Sequence, residues 1–534
     1  MTAQRVIVVG AGIGGLVSAL ELAAQGADVL VLERAATLGG KLRQLEVAGV
    51  AMDAGPTVFT MRWVFDELFD AVGAQLSDHL KLQPLTVLAR HAWREGEHLD
   101  LFTDRDRSAD AIGLFAGAQA ARGYLDFCAR AASIYSTLET PFLRAARPSP
   151  ITLVGRAGLR GLPGLMRIAP FTSLWSALGK HFVDPRLRQL FGRYATYCGS
   201  SPYQAPATLM LVAHVEQEGV WGVEGGMYRV AQTLAALAAE RGARLRCNTP
   251  VERILTRAGR ACGVRLAGGE ELLADAIVFN GDVAALGAGL LGGGLLERAA
   301  GQAVTPAAVP GRSLSALTLN LLAATRGFAL SRHTVFFSHD GASEFADIFD
   351  RGRLPRAPTI YVCAQDRSGD AGDETAPAGA ERLLMIVNAP ACGDAANPIT
   401  AEELARCEAS TFQLLNRCGL RVLQNPDHMT MTTPRDFERL FPATGGSLYG
   451  KASHGWAASF SRPGARSRLP GLYLAGGSVH PGPGVPMAAL SGRQAAASVL
   501  ADSGPAHQSR SRSLLRLSTS TSPPAATPGG TSTR

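Results

Sequence analysis

No uninterrupted apolar run in the chain reaches the ~18 residues that cross a bilayer, so no transmembrane helix is predicted. The 8 cysteines, at 128, 198, 247, 262, 363, 392, 407 and 418, form no CxxC pair and have no histidine at ligand spacing. That pattern excludes a zinc site and a disulfide framework, and no metal is expected. GxSxG, P-loop and HExxH motifs are also missing, which removes the hydrolase and NTPase classes. Charge is scarce: 18% of residues are charged against 46% hydrophobic, which leaves room for apolar surface or a large apolar cavity. Acids stop at Asp502, while Arg510, Arg512, Arg516 and Arg534 carry part of the net charge of +7 in the tail. With no folded basic patch interleaved with aromatics, nucleic-acid binding is not expected. No charged leader and apolar signal core precede the first strand, so a cytoplasmic location is expected.

What is present begins at the first strand, Arg5-Val6-Ile7-Val8-Val9, which runs into Gly10-Ala11-Gly12-Ile13-Gly14-Gly15. Gly10 and Gly12 allow a tight turn and close backbone approach to a pyrophosphate, Gly15 lets helix and strand pack, and the helix N-terminus faces the anion. Leu16, Ala19, Leu20 and Ala23 then recur at helical spacing. The strand Asp28–Leu32 follows and delivers Glu33 to a ribose. This order of elements fits NAD(P) and FAD alike. The next residues discriminate: Glu33-Arg34 is followed by Leu38-Gly39-Gly40-Lys41, a second glycine turn with a cation. That turn resembles the extended fingerprint of FAD-dependent amine oxidases and carotenoid desaturases, which implies FAD. Among the 534 residues, more than one core usually holds, two domains are expected.

In Met52-Asp53-Ala54-Gly55-Pro56-Thr57-Val58, Gly55 and Pro56 make a rigid turn that can lie against a flat ring, with the Thr57 hydroxyl at its edge. The stretch resembles the DxGPT segment beside the isoalloxazine in the bacterial-type phytoene desaturase family. Leu88-Ala89-Arg90-His91-Ala92-Trp93, taken with Asp53 to Thr60, is similar to the 1-hydroxycarotenoid 3,4-desaturase branch of that family. The resemblance places Val251 beside the adenine and the strand Ala276–Phe279, with Asn280-Gly281-Asp282, near the FAD. Alone, that tripeptide reads as a turn, and His91 as a structural strand residue.

The last folded element runs from Gly471 through Gly476, Gly477, His480, Val485, Pro486 and Met487 into a helix reaching Leu500. Pro486 suits the first turn, and the helix N-terminus can face the flavin edge where negative charge collects. Gly477-Ser478-Val479 departs slightly from the Ala-Gly-Thr triplet usual in the family. His480 is the candidate polar contributor near the flavin, with a hydrogen-bonded turn residue as its other reading.

Between Glu139 and Asp184 there is no acid, while Arg144, Arg147, Arg156, Arg160, Arg167 and Lys180 punctuate an apolar, aromatic-bearing series. With the family resemblance, residues 144–182 read as a contact with anionic headgroups that admits a lipid-soluble substrate; a buried helical hairpin is the alternative. Peripheral association with the inner membrane is therefore expected.

The resemblance implies an α/β fold class: a Rossmann-like FAD-binding domain of the amine oxidase/phytoene desaturase type with a discontinuous α+β substrate domain. Residues 1–87, 219–285 and 445–502 are expected to form the FAD-binding parts, and 88–218 and 286–444 the substrate domain. Helices are predicted over 64–72 and 228–241, strands over 85–93, 314–321, 359–363 and 383–388, and a surface loop over 366–381. The tail 503–534, rich in Ser, Thr, Pro and Arg, is expected to be disordered. The resemblance implies desaturation of an acyclic C40 carotenoid, foremost at the 3,4 position of a 1-hydroxy or 1-methoxy compound. The alternatives are a phytoene desaturase making several double bonds and, from another class, a prenyl-lipid carrier on the same fold.

Overall fold

The computed structural model describes residues 3–146, 171–292, 311–368 and 377–503. Its first unit is built on a parallel sheet in the order Arg244–Arg246, Asp28–Leu32, Arg5–Val9, Ala276–Phe279, Leu472–Leu474. The strands are covered on both faces, which is why they read as continuous apolar runs rather than alternating ones. Val6, Val8, Val29, Val31 and Val278 pack under the helices Ile13–Ala24, Tyr228–Glu240 and Val485–Asp502. Ile7, Ile277, Phe279, Leu472 and Leu474 turn the other way, against the antiparallel sheet of Val251–Arg257, Arg260–Leu266 and Glu271–Leu273. Chain segments more than 200 residues apart thus close one sheet.

The second unit is an eight-stranded sheet in which Ser315–Gly327, Glu381–Ala389, Ile360–Ala364, His333–Phe336, Val87–Arg94 and Glu97–Phe102 succeed one another, with Leu420–Leu423 and Met429–Thr432 both on Ser315–Gly327. Side chains alternate across it. Leu317, Leu319 and Leu321 join Leu383, Met385 and Val387 under the helix Ala401–Arg417, whose capping box closes Thr400 on Glu403. Ala316, Thr318, Leu384, Ile386 and Asn388 face a cavity. Beyond the other edge, Leu88, Leu99, Leu101, Val335 and Phe337 pack against helices that include Arg105–Ala116 and Ala118–Leu138.

The strand predicted over 314–321 runs on to Gly327, because Ala324–Gly327 pair with Leu420–Leu423. Of the stretch 144–182, residues 147–170, with Arg147, Arg156, Arg160 and Arg167, lie outside the described residues, as do 504–534 and positions 369–376 of the expected loop. In the described part, Arg144 is committed to ion pairs with Glu67 at 3.0 Å and Glu139 at 3.2 Å, and Leu174, Leu178 and Phe182 are buried. Of the stretch expected to contact headgroups, those three apolar positions do not reach the surface: they fill the helical core of the second unit.

Candidate active site

One cavity of about 1010 Å³ runs between the two units, at the upper end of the ~300–1,000 Å³ usual for ligand pockets. Its first part is the glycine cradle. Gly10 has φ +100°, a value that L side chains rarely adopt, and its N–H donates to Leu32 O at 2.8 Å. A Cβ on Gly12 would come within 2.8 Å of Asn280 Nδ2, and one on Gly14 within 2.8 Å of Gly476 N. Gly15 does not line the cavity; it packs against Gly10, whose carbonyl oxygen would lie 2.2 Å from an added Cβ.

Glu33 is buried at the end of its strand. Its Oε2 accepts from Ala11 N at 2.7 Å and its Oε1 from Ala35 N at 2.8 Å. A carboxylate has about four acceptor positions, so two remain for a ligand hydroxyl. Beside it, Gly40 has φ +61° and lies against Gly12, and the Arg34 guanidinium donates to the carbonyls of Arg439 and Leu440. Lys41 Nζ donates to Leu448 O at 2.6 Å and stands over the Phe441 ring. Burial pushes its pKa down from the usual lysine value, against the opposing pull of Asp282.

Gly55, Pro56 and Thr57 line the same cavity because Asp53 anchors them. The Asp53 carboxylate accepts from the Met227 and Tyr228 amides, and its carbonyl accepts from Asn320 Nδ2 at 3.0 Å and Gln365 Nε2 at 2.9 Å. Burial raises the Asp53 pKa. A Cβ on Gly55 would sit 2.0 Å from Lys41 O, so the turn rests directly on the second glycine loop. Val251, Gly476, Gly477, Val485, Pro486 and Met487 complete the predicted set along the cavity wall. Gly484 precedes the helix Val485–Asp502, and Pro486 stands in its first turn.

His480 is placed elsewhere. It is buried, lies off the cavity lining, and its Nε2 donates to Phe142 O at 2.9 Å. Burial pushes its pKa down to about 4, so a neutral, structurally committed imidazole stands where the sequence suggested a polar contributor. Its turn reading is the one the geometry favours.

Asn280, taken alone as part of a turn, is the hub of the cradle. It donates from Nδ2 to Gly10 O at 3.2 Å and approaches Gly12, Gly14, Gly15 and Gly476. Ser478 accepts from Val283 N at 3.1 Å, and Arg462 donates to Gly477 O at 3.1 Å and Lys451 O at 2.8 Å. Past the cradle the lining turns apolar, with Leu209, Val212, Val215, Leu384 and Ile386. Arg193, Tyr197 and Tyr361 interrupt it.

The cradle fits FAD: glycines that a Cβ would fill, a 12-residue helix starting at them, and a buried acid at the ribose position are the parts a dinucleotide needs. Gly10, Gly12 and Gly14 would hold the pyrophosphate and Glu33 the ribose. The donor set contains no group of three or more metal-ligating side chains among the described residues.

Residues 13–500 match the family described as flavin containing amine oxidoreductase. A hydroxyneurosporene desaturase of Rubrivivax gelatinosus is 57% identical, covering 99% of this chain and 98% of its own. A hydroxyneurosporene desaturase of Cereibacter sphaeroides is 46% identical over 93% of this chain and 98% of its own, and a 4,4'-diapolycopene oxygenase of Methylomonas sp. is 32% identical over 93% and 98%. Among solved structures, putrescine oxidase bound to putrescine superposes with a TM-score of 0.57 at 14% identity, covering 94% of this chain and 99% of that one, a likeness of fold. The cofactor is FAD. The chain belongs to the flavin-containing amine oxidoreductase family, among its bacterial carotenoid desaturases.

Proposed function

We propose that the protein desaturates an acyclic C40 carotenoid in carotenoid biosynthesis, at the 3,4 position of a 1-hydroxy or 1-methoxy compound such as hydroxyneurosporene. The observation that carries this reading is the continuity of the cavity: the glycine cradle opens without a break into an apolar lining suited to a polyene. The chemistry that FAD supplies when bound is acceptance of a hydride from an allylic carbon. The chain supplies orientation and dryness. Leu209, Val212, Val215, Leu384 and Ile386 exclude water from the polyene, and the N-terminus of Val485–Asp502 presents its positive end to the cavity. The relatives named hydroxyneurosporene desaturase, at 57% and 46% identity, favour the oxygenated substrate over phytoene.

The test is anaerobic incubation of FAD-loaded protein with liposomes carrying hydroxyneurosporene or phytoene, followed by chromatography and absorption spectra. One added double bond in hydroxyneurosporene is expected; turnover of phytoene alone would overturn the assignment.

The same reading places the protein peripherally on the cytoplasmic side of the inner membrane. No helix among the described residues is long and apolar enough to cross a membrane. Phe171 is 76% exposed and Trp456 43%, their rings lie 5.4 Å apart, and both line the cavity, so its rim carries exposed aromatic surface. Replacing both by serine is expected to reduce co-sedimentation with liposomes severalfold. Replacing Arg156, Arg160 and Arg167 by Glu should do the same for anionic liposomes, and unchanged sedimentation in both sets would exclude this contact.

A further inference from the structure

The sheet of the second unit sets His91, Val335, Tyr361, Ile386 and Thr318 in one row across neighbouring strands. All but His91 line the cavity. In this row the Tyr361 hydroxyl is 2.6 Å from Thr57 Oγ1 and 2.6 Å from His333 Nδ1, and the Tyr361 and His333 rings stack at 6.0 Å. Arg193 lines the same cavity from the short helical turn Arg193–Cys198. Glu216, which accepts from the Tyr194 and Tyr197 hydroxyls at 2.7 and 2.6 Å, answers its charge.

Among the described residues, several buried polar atoms here have no hydrogen-bond partner: Arg193 Nε, His91 Nε2, His333 Nε2 and Thr318 Oγ1. Arg193 acts electrostatically on His91, His333 and Tyr361, so these groups share one neighbourhood. Burial holds the His333 pKa down to about 3 and that of His91 well below its ordinary value, so both imidazoles are neutral. Buried polar groups are nearly always paired, because leaving one unpaired costs its full desolvation. Arg193 and Thr318 line the cavity, so Arg193 Nε and Thr318 Oγ1 are groups whose partner arrives with the ligand, whereas His91 and His333 do not line it.

We infer that Arg193, Tyr361 and Thr57 form a seat for the oxygen at the end of the linear polyene, and that this seat sets which carbon pair faces the cofactor. The inference rests on the hydroxycarotenoid reading and adds the residues that recognise the oxygen. In a 1-hydroxy compound desaturated at 3,4, three bonds of about 1.5 Å separate the oxygen from carbon 3, so the oxygen stays within roughly 4–5 Å of the reacting bond. Its seat must adjoin the cofactor cradle. Thr57 meets that condition, two residues after the Gly55 turn that rests on Lys41. The unpartnered Arg193 Nε–H can donate to a hydroxyl or to a methoxyl oxygen, whereas a hydrocarbon end leaves it unpaired. A site built to bond an oxygen rejects the analogue without one far more strongly than an apolar pocket discriminates methylenes.

The test uses Tyr361→Phe, which removes one oxygen, and Arg193→Met, which removes the charge at similar length, both as FAD-loaded full chain. Binding of hydroxyneurosporene and of the same polyene without the hydroxyl is followed by quenching of tryptophan fluorescence, and turnover is followed in parallel. Wild type is expected to bind the hydroxylated compound about tenfold or more tightly. The variants should lose that ratio while keeping their affinity for the hydrocarbon within about twofold. Should Arg193→Met leave Glu216 uncompensated and fail to fold, Tyr361→Phe decides alone. A wild-type ratio retained by the folded variants, or a wild type with no preference, overturns the seat. A wild type that prefers the hydroxylated compound but yields no 3,4-desaturated product overturns the reaction assigned above and leaves the seat standing.

Discussion

Gly14→Val protein is expected to purify with little or no flavin, its FAD affinity lowered on the order of 10- to 100-fold. The reason is where three elements meet. A Cβ on Gly14 would stand 2.7 Å from Asn280 Oδ1, 2.8 Å from Gly476 N and 3.1 Å from Ala488 O. Two of those are backbone atoms, and none is the far end of a long side chain that could swing away. Helix Ile13–Ala24 is further locked to Val485–Asp502 by Ser18 Oγ, which donates to Gly492 O at 2.9 Å. Overpacking of this kind costs about 1–3 kcal/mol, and here it must shift the cradle itself. Glu33→Ala should lower FAD retention by another route: it removes the ribose acceptor and leaves the Ala11 and Ala35 amides unpaired, at roughly 1–3 kcal/mol. Gly113→Ala is the control, since its Cβ would meet Ala121 Cβ at an ordinary 3.5 Å. The checks are the ratio of flavin to protein absorbance and equilibrium dialysis against FAD, with the unfolding midpoint recorded beside them. Full flavin stoichiometry in folded Gly14→Val would show that the cradle does not hold the pyrophosphate.

How much of this was legible in the chain follows from distance along it. The glycine turn, its helix and Glu33 are contiguous, so local rules for turns, helix starts and buried strands suffice to read them. The strand Ser315–Gly327 extends six residues past its predicted end, because its continuation is stabilised by Leu420–Leu423, a hundred residues away. Asn280 looks like a turn residue because its partners, Gly10 O and the glycines around it, are about 200 or more residues distant in either direction. His480 is the opposite case. Its place after a glycine-rich strand suggested the flavin, whereas the fold delivers the Phe142 carbonyl to it and closes it off. Thr57, Arg193 and Tyr361 carry no shared motif at all. The register of the second sheet places Tyr361, whose hydroxyl reaches Thr57, while Arg193 comes to the same cavity from the turn Arg193–Cys198; register is a property of pairs of strands rather than of either one.

That register is guarded by a buried ion pair, and breaking it is expected to be the most destabilising substitution outside the cradle. Arg367 and Glu381 side chains are 4% and 1% exposed, and the guanidinium meets the carboxylate with two bonds, at 2.9 and 2.7 Å. Arg367 Nη1 also donates to Leu330 O at 2.7 Å, and Thr325 Oγ1 donates to Glu381 Oε1 at 2.6 Å. The pair bridges the connection between strands Ile360–Ala364 and Glu381–Ala389, whose pairing sets Tyr361 opposite Ile386. Removing one partner strands a charge in a dry environment, so Arg367→Met or Glu381→Leu should each cost about 3–5 kcal/mol in denaturant unfolding. The double variant Arg367→Met with Glu381→Leu should recover most of that loss, because apolar groups of similar volume often replace a buried pair at no net cost. Recovery stays incomplete, since Leu330 O and the Thr325 hydroxyl lose their partners. Single variants costing under about 1 kcal/mol would place the pair in a solvated setting instead. If the pair guards register, the folded double variant should keep the preference for the hydroxylated polyene, because the apolar side chains still close the same two strands. Loss of that preference in a stable double variant would mean that charge at Arg367, rather than strand register, holds Tyr361 in place.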